Sequence, residues 1–247
     1  FFWVVSAWAR CNTTGKMWGK RGHCVDHGIT AGEEGLREQV TRWLTVGFPH
    51  ADGGSPLLAK RIGIDAGDGV RSNRVYTLCE TMPANVWPVK GSSHDLGLDW
   101  YSIGFQRAEV HAKVLAARRA TGQGDLLIIN TQRTQGWRTD ITGGLITAES
   151  PDWYSIPTEF ASDSDFLDQL IADFPIESEH GVRWERNGAN EKGDGLRYSF
   201  ALAHHVAGPD WQNIPLRAAD QRAIAARTKP RPAPPRSSGR AFMPSDR

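Results

Sequence analysis

The stretch Ile62-Gly63-Ile64-Asp65-Ala66-Gly67 decides the fold that the sequence predicts. It closes the segment from Leu57 to Asp65, which we predict to be a buried strand, and its carboxylate is followed by glycine. Open α/β sheets expose their functional sites at the carboxyl ends of strands, so Asp65 is a candidate site residue. Asp and Gly are also the commonest turn formers, and an ordinary turn remains an alternative for Asp65 and for the nearby Asp68.

A second acidic stretch, Asn190-Glu191-Lys192-Gly193-Asp194, opens a predicted amphipathic helix that continues to about Val206. Asn190 is a good N-cap and acids in a first turn suit the helix dipole, so helix formation alone can explain these residues. Asp194 becomes a stronger candidate for a metal ligand only together with Asp65, because a strand-end Asp and a helix Asp can meet in space and hold a divalent cation between them.

Hydrophobic periodicity around these two stretches predicts alternating strands and helices, and therefore an α/β fold. Two strands, at about residues 1–10 and 17–29, are predicted to form an antiparallel hairpin at its start. The other predicted strands are at 57–65, 86–90, 126–129 and 182–185, and the predicted helices are at 33–48, 75–82, 109–119, 162–174 and 190–206.

The composition is that of an ordinary globular protein, with 247 residues, 39% hydrophobic and 23% charged residues, and a formal net charge of +1. The chain as a whole is no polycation, so nucleic-acid binding would require basic residues gathered on one face. The ten tryptophans are expected mainly in the core. Three cysteines without a framework spacing favour a reducing compartment, and the apolar segment 1–9 is too short to cross a bilayer, so we expect a soluble cytoplasmic protein.

A change in composition near Thr228 marks a boundary in the chain. The sequence that follows, Lys-Pro-Arg-Pro-Ala-Pro-Pro-Arg, is basic, rich in proline and without core-forming residues, which is typical of a disordered tail. We therefore predict one domain over residues 1–208 and a C-terminal extension over 209–247. The chain begins with Phe1-Phe2-Trp3-Val4-Val5, in the middle of a predicted strand, so we expect a further segment before it.

A series of short motifs runs through residues 1–208. They are Trp3-Val4-Val5-Ser6-Ala7-Trp8, Val25-Asp26-His27-Gly28-Ile29, Ile64-Asp65-Ala66-Gly67 with Val75-Tyr76, Val89-Lys90-Gly91, Ile129-Asn130-Thr131, Phe166-Leu167-Asp168-Gln169-Leu170 and Asn190-Glu191-x-x-Asp194 with Tyr198 and Ala201. None of these motifs is specific alone, but in their order and spacing they resemble the C-terminal nuclease domain of the lambda-type phage terminase large subunit, which is ribonuclease H-like.

The resemblance implies a mixed central sheet with flanking helices, and a nuclease that cuts concatemeric phage DNA during genome packaging. Nucleases of this family use three acids, on the first strand, at the end of a central strand and on a late helix. Asp65 matches the second acid and Asp194 the third, and the first is expected on a strand before Phe1.

The late motif also departs from the family pattern. Bulkier apolar residues are usual at the positions of Gly193 and Gly195, and Gln135 stands where a Lys is common in the helix after Asn130-Thr131. Together with the absent first acid, these departures predict a chain that folds but is a weak nuclease.

The chemistry implied by the resemblance is in-line attack of water on a DNA phosphodiester, assisted by two divalent ions about 4 Å apart. Oxygen ligands and a phosphate substrate favour Mg²⁺ or Mn²⁺. Asp65 and Asp194 would bind the metal directly, with Asp68 as a further metal-binding group and Glu191 as an accessory catalytic group. Five basic residues near these sites in the sequence are candidate DNA contacts, with a solvated surface as the other explanation: Arg71, Arg74, Lys90, Arg133 and Arg138.

The resemblance further implies double-stranded DNA as the substrate, with the terminase small subunit and the portal or procapsid as partners of the full-length protein in an infected cell. Two alternatives remain open. The chain could be an inactive ribonuclease H-like module that binds DNA or the portal through its basic tail. The segment Gly63-Ile64-Asp65-Ala66-Gly67 is also similar to the phosphate loop of actin-like sugar kinases, although it lacks the Thr or Ser of that loop.

Overall fold

The computed structural model of the protein describes residues 1–12, 18–50, 53–67, 72–92, 96–97, 99–104, 126–146, 153–179 and 181–207. All of them belong to one compact unit, Phe1–Ile214. The predicted helix at 109–119, the candidate residues Asp68 and Arg71, and the predicted extension from residue 209 lie outside the described residues. The predicted α/β class is confirmed.

An antiparallel hairpin opens the fold, as the sequence predicts. Its strands are β1 (Phe2–Asn12) and β2 (Trp18–Ile29), and their register shifts between Val5 and Ser6. A short strand, β7 (Tyr154–Ser155), lies parallel to β2 on its other side, so the order of this sheet is β1-β2-β7.

A second sheet contains the strand that ends in Asp65. Its order is β3-β4-β6-β5, with β3 (Ile62–Asp65), β4 (Val86–Gly91) and β6 (Leu126–Ile129) parallel, and β5 (Tyr101–Gly104) antiparallel to β6. The apolar strands β4 and β6 are buried, as a parallel sheet covered on both faces requires. Because β3 and β4 are parallel neighbours, Asp65 and the end of β4 lie at the same edge of the sheet.

The strand that we predict from Leu57 onward is shorter in the structure. Leu57 and Leu58 are 49% and 43% exposed, and Leu57 forms only an isolated bridge with Phe48. Pairing with β4 starts at Ile62. From there Ile62 and Ile64 are buried in the core, and this alternation of buried side chains stabilises the extended conformation.

Helices of the described residues cover both sheets. They are α1 (Gly32–Thr45), α2 (Ser72–Glu80), α3 (Thr131–Thr142), α4 (Ser164–Ile171) and α5 (Glu191–Ala207), with a 3-10 helix at Thr158–Ser162. The predicted helix at 162–174 corresponds to α4, whose N-cap is Asp163. It ends early because the chain then enters a third sheet, the hairpin of β8 (Asp173–Ser178) and β9 (Gly181–Arg186). None of the described helices is both long and apolar enough to cross a membrane.

Helix α5 is the central packing element of the fold. Its Phe200 is fully buried and stacks on Trp137 of α3, with ring centroids 4.0 Å apart and an interplanar angle of 6°. Trp8 and Trp100 also contact Phe200, so several tryptophans do belong to the core. The helix touches β1 through a hydrogen bond between Ser199 Oγ and Ser6 Oγ (2.9 Å) and also contacts β3, which brings its first turn to the carboxyl end of that strand.

The two larger sheets are separate at one boundary, between β1 and β3. Among the described residues, β1 is hydrogen-bonded to β2 alone and β3 to β4 alone, so each has one edge without a partner strand. Trp3 and Val5 of β1 nevertheless pack in the same core cluster as Ile62 and Ile64 of β3. We call this boundary, between Phe2–Asn12 and Ile62–Asp65, the seam.

Candidate active site

Asp65 lies at the end of β3, where the backbone turns sharply. Its Oδ1 accepts a hydrogen bond of 2.8 Å from the backbone N–H of Gly67, and the next residue, Ala66, is tied to β4 through a bond from its N–H to Val89 O. Burial raises the pKa of Asp65; the bond from Gly67 opposes this, and the negative charge of Asp194 raises the pKa further. The two carboxylates are therefore close enough for each to influence the charge of the other.

Asp194 lies in the first turn of α5, with its side chain 17% exposed. Its Oδ1 accepts hydrogen bonds from Arg197 Nε (2.7 Å) and Asn190 Nδ2 (3.2 Å), and Arg186 Nη2 lies 3.9 Å from its Oδ2. Three groups thus orient a carboxylate that faces Asp65. Asp65 and Asp194, which are 129 positions apart in the sequence, therefore meet at one place in the fold.

Arg197 and Tyr198 lie beside the two carboxylates, and we did not predict either as a site residue. The Arg197 side chain is only 7% exposed, and its Nη2 lies 3.4 Å from the Tyr198 hydroxyl. Burial alone would lower the pKa of Arg197, but Tyr198, Asp194 and Asp65 raise it above its usual value. The spacing of Asp194 and Arg197, three residues along a helix, is the signal that could have identified this ion pair.

Lys90 is the predicted DNA contact that lies at the same edge of the sheet as Asp65. It is exposed at the end of β4, in the strand next to β3. Its neighbour Gly91 adjoins the site, because a Cβ built on Gly91 would lie 2.9 Å from Thr131 Oγ1 and 3.7 Å from the Tyr198 hydroxyl. The edge of the sheet beside Asp65 therefore carries an exposed cation.

The other predicted DNA contacts lie in different surroundings. The Arg133 guanidinium stacks on Trp100 at 3.8 Å from the ring centroid, near the start of α3. The Arg74 side chain on α2 is 74% exposed and forms an ion pair with Glu33 of α1.

Arg138 is completely buried, and its Nη2 donates a 2.6 Å hydrogen bond to Asp173 Oδ2. A guanidinium in this position is not available to a DNA backbone. We therefore assign Arg138 to the interior rather than to a DNA-binding surface.

Glu191 does not join the acid pair through any contact in the described residues. It is the first residue of α5 and is exposed to solvent. Among the described residues, which exclude Asp68, no group of three or more His, Cys, Asp or Glu side chains is placed to hold a metal ion. The site in the described residues is thus an acid pair.

Asp173 links the acid pair to the protein interior. Its side chain is 6% exposed and accepts hydrogen bonds from Arg138 Nη2 (2.6 Å), Asn190 Nδ2 (2.8 Å) and Arg186 Nε (3.2 Å). Burial alone would raise its pKa, but the hydrogen bonds from Asn190, Gln135 and Arg138 hold it at about 2. No sequence pattern indicates Asp173, which lies at the start of a strand that we did not predict.

The fold and this geometry define the class of protein: a ribonuclease H-like α/β domain with a carboxylate pair at the edge of its sheet. The family model of the terminase large subunit gpA endonuclease domain matches residues 6–212, and the chain belongs to that family. Searches of curated proteins and of solved structures found no match. The family supports a nuclease role in the packaging of viral DNA.

Proposed function

We propose that this chain is a divalent-metal-dependent endonuclease that cuts concatemeric phage DNA during genome packaging, in the cytoplasm of the infected cell. The observation that carries the proposal is the meeting of Asp65 and Asp194 at the sheet edge, in a domain of the terminase endonuclease family. In the full-length protein, the small subunit and the portal or procapsid would be the partners, on the strength of the family alone.

The donor chemistry of the acid pair fits Mg²⁺ or Mn²⁺. Both ions prefer oxygen ligands, and a cation beside the two carboxylates would offset the repulsion by which Asp194 raises the pKa of Asp65. Asp65 and Asp194 would bind the metal, and Asp68 is our proposal for a further ligand. When bound, the ions supply an activated water and stabilise the oxygen that leaves the phosphodiester.

The residues around the pair have separate tasks in this proposal. Arg197 and Asn190 hold Asp194 Oδ1, which orients the carboxylate before metal arrives. The exposed Lys90, together with Arg133, Arg74 and Arg71, would contact DNA phosphates and position the backbone for cutting. Glu191, exposed one turn before Asp194, would act as an accessory group near the solvent side of the site.

The third acid of the family site would be supplied at the seam. A strand inserted there would hydrogen-bond to the free edges of β1 and β3, joining the two sheets into one, and would end beside Asp65. We propose that this strand belongs to the same polypeptide, upstream of Phe1, and carries the missing Asp. The chain without that strand is then folded but a weak nuclease.

A plasmid-nicking assay in Mn²⁺ tests this function. We expect the chain to nick supercoiled DNA slowly and a version extended upstream of Phe1 to nick it at least tenfold faster. Asp65→Ala and Asp194→Ala should each reduce the rate by about a hundredfold or more, because each removes a metal ligand, whereas Asp168→Ala on α4 should change it little. If the extended version cuts no DNA, or if the two substitutions leave the rate unchanged, the nuclease function is lost.

The same assay separates the nuclease from a module that only binds DNA or the portal. The presence of only two suitable carboxylates in the described residues is the observation that favours this alternative. A binding module would shift DNA in a gel without nicking it, and its affinity would be insensitive to Asp65→Ala.

A further inference from the structure

Two side chains, Asn190 and Arg186, each contact both Asp194 and the interior carboxylate of Asp173. Asn190 Nδ2 lies 2.8 Å from Asp173 Oδ2 and 3.2 Å from Asp194 Oδ1, so one amide bridges the two acids. Arg186 does the same with its guanidinium, Nε being 3.2 Å from Asp173 Oδ1 and Nη2 being 3.9 Å from Asp194 Oδ2. The orientation of Asp194 therefore depends on the position of Asp173 as well as on the 2.7 Å bond from Arg197 Nε.

Asp173 is itself fixed by a buried cation from another element. The Arg138 side chain on α3 is 1% exposed and reaches Asp173 at 2.6 Å. It passes against α5 at Gly193, where a Cβ would come within 2.2 Å of Arg138 Nη1. A buried charge is stable only when it has an opposite charge and hydrogen-bond partners beside it. Arg138 and Asp173 therefore hold each other in place. We call Arg138, Asp173, Arg186, Asn190 and Asp194 the Asp173 network.

We propose that Asp173 is a positioning residue for the nuclease: through Asn190 and Arg186 it holds the Asp194 carboxylate in the orientation that binds metal. This inference rests on the proposed metal-dependent function. Asp173 is not a catalytic residue, because Asn190 and Arg186 lie between it and Asp194. Groups that orient metal ligands in this way commonly contribute about 10–100-fold to metal affinity.

The test is Mn²⁺ binding, measured by electron paramagnetic resonance on the version extended upstream of Phe1. Asp173→Asn keeps the size of the side chain and removes its charge, and we expect it to weaken Mn²⁺ binding by about tenfold. The matched control is Asp165→Asn, which removes the partner of another buried cation, Lys192, at 2.7 Å. Asp165 has no contact with Asp194 in the described residues, so this control should lose stability but keep the parental Mn²⁺ affinity.

A double variant separates positioning from a purely structural role. Asp173→Asn with Arg138→Gln removes both charges of the buried pair and should regain much of the stability lost by Asp173→Asn alone. If Asp173 positions Asp194, Mn²⁺ binding stays weak in the double variant. If Mn²⁺ affinity returns together with stability, the role is structural and the inference is overturned.

Should Asp173→Asn fail to fold, Asn190→Ala gives the same information, because it interrupts the bridge to Asp194 and leaves the Arg138–Asp173 pair intact. Its Mn²⁺ affinity should also fall by about tenfold, and an unchanged affinity would overturn the inference. Absence of Mn²⁺ binding by the parent protein would overturn the proposed function as well. Parental binding with an unaffected Asp173→Asn variant would remove the positioning role alone.

Discussion

At Gly193 the neighbouring atoms leave no space for a side chain. A Cβ at this position would lie 2.2 Å from Arg138 Nη1 and 2.5 Å from the backbone oxygen of Gln169. Glycine is less favourable than alanine in a helix, by about 1 kcal/mol at interior positions, and at position 193 it leaves space for the Arg138 guanidinium. In this chain the glycine leaves a space beside the helix, and the buried Arg138 guanidinium fills it.

Gly193→Ala should therefore destabilise the protein although alanine is the better helix former. We expect a loss of about 2 kcal/mol in the free energy of unfolding, because a backbone oxygen and a buried guanidinium must both shift. Gly195→Ala in the same helix is the control, since a Cβ there would meet Val4 Cγ2 at 3.2 Å, a contact that a small movement relieves. Denaturation in urea measures both variants, and a Gly193→Ala protein as stable as the parent would contradict this account of the glycine.

At the scale of elements, the sequence predicts what has a long regular pattern. The hairpin of β1 and β2, the buried strand β6 and the amphipathic helices α1 and α5 are all found near their predicted bounds. β5 is missed because Tyr101-Ser102-Ile103-Gly104 has no continuous apolar run like that of β6, and β7 because it is only 2 residues long. Phe174 was assigned to a helix because its spacing continues the apolar face of α4, whereas pairing with β9 makes it part of β8.

The site follows the same rule as the elements. Asp65 and Asp194 could be nominated because each stands at the end or start of a predictable element. Asp173 could not be, because its role depends on contacts between distant segments, whereas Arg197 is indicated only by its position three residues after Asp194 on the same helix. The burial of Arg138 is likewise a tertiary contact with Asp173, and a sequence pattern shows only that it is basic.

The open edges of β1 and β3 give a prediction for hydrogen exchange. In the chain beginning at Phe1, the amides of these strands that face the seam should exchange fast, because no partner strand protects them in the described residues. In a version extended upstream of Phe1, about half the amides of β1 and β3 should slow by tenfold or more as the inserted strand pairs with them. The amides of β4 serve as the control, since this strand already has β3 and β6 on its two sides. Equal exchange of β1 and β3 in the two proteins would exclude a strand at the seam.

At the scale of the whole molecule, stability should fall on mild acidification because the interior holds neutral histidines. His205 packs between Trp87 and Tyr101, and burial, helped by the charge of Arg61, lowers its pKa to about 4. Burial also lowers the pKa of His27. The pKa of Asp173, about 2, places its own contribution in a lower window: that stability is complete above pH 3.8 and is lost as the pH falls towards 2.

Proton binding by His205 sets the direction in which the free energy of unfolding changes with pH. The unfolded chain takes up a proton on this histidine near pH 6.5 and the folded protein only near pH 4, so the unfolded state binds more protons between these values. The stability contributed by this residue is therefore complete above pH 6.5. It should fall by about 2 kcal/mol by pH 4, less than the about 3 kcal/mol of the full shift, because solvent screens the partly exposed ring. His205→Phe keeps a ring between Trp87 and Tyr101 but cannot be protonated, so urea denaturation at a series of pH values should show a flatter profile by that amount. His23→Phe, the same change at an exposed position of β2, serves as the control for replacing a histidine by phenylalanine. If the His205→Phe profile has the parental slope between pH 6.5 and 4, the buried neutral histidine is not the source of the acid sensitivity.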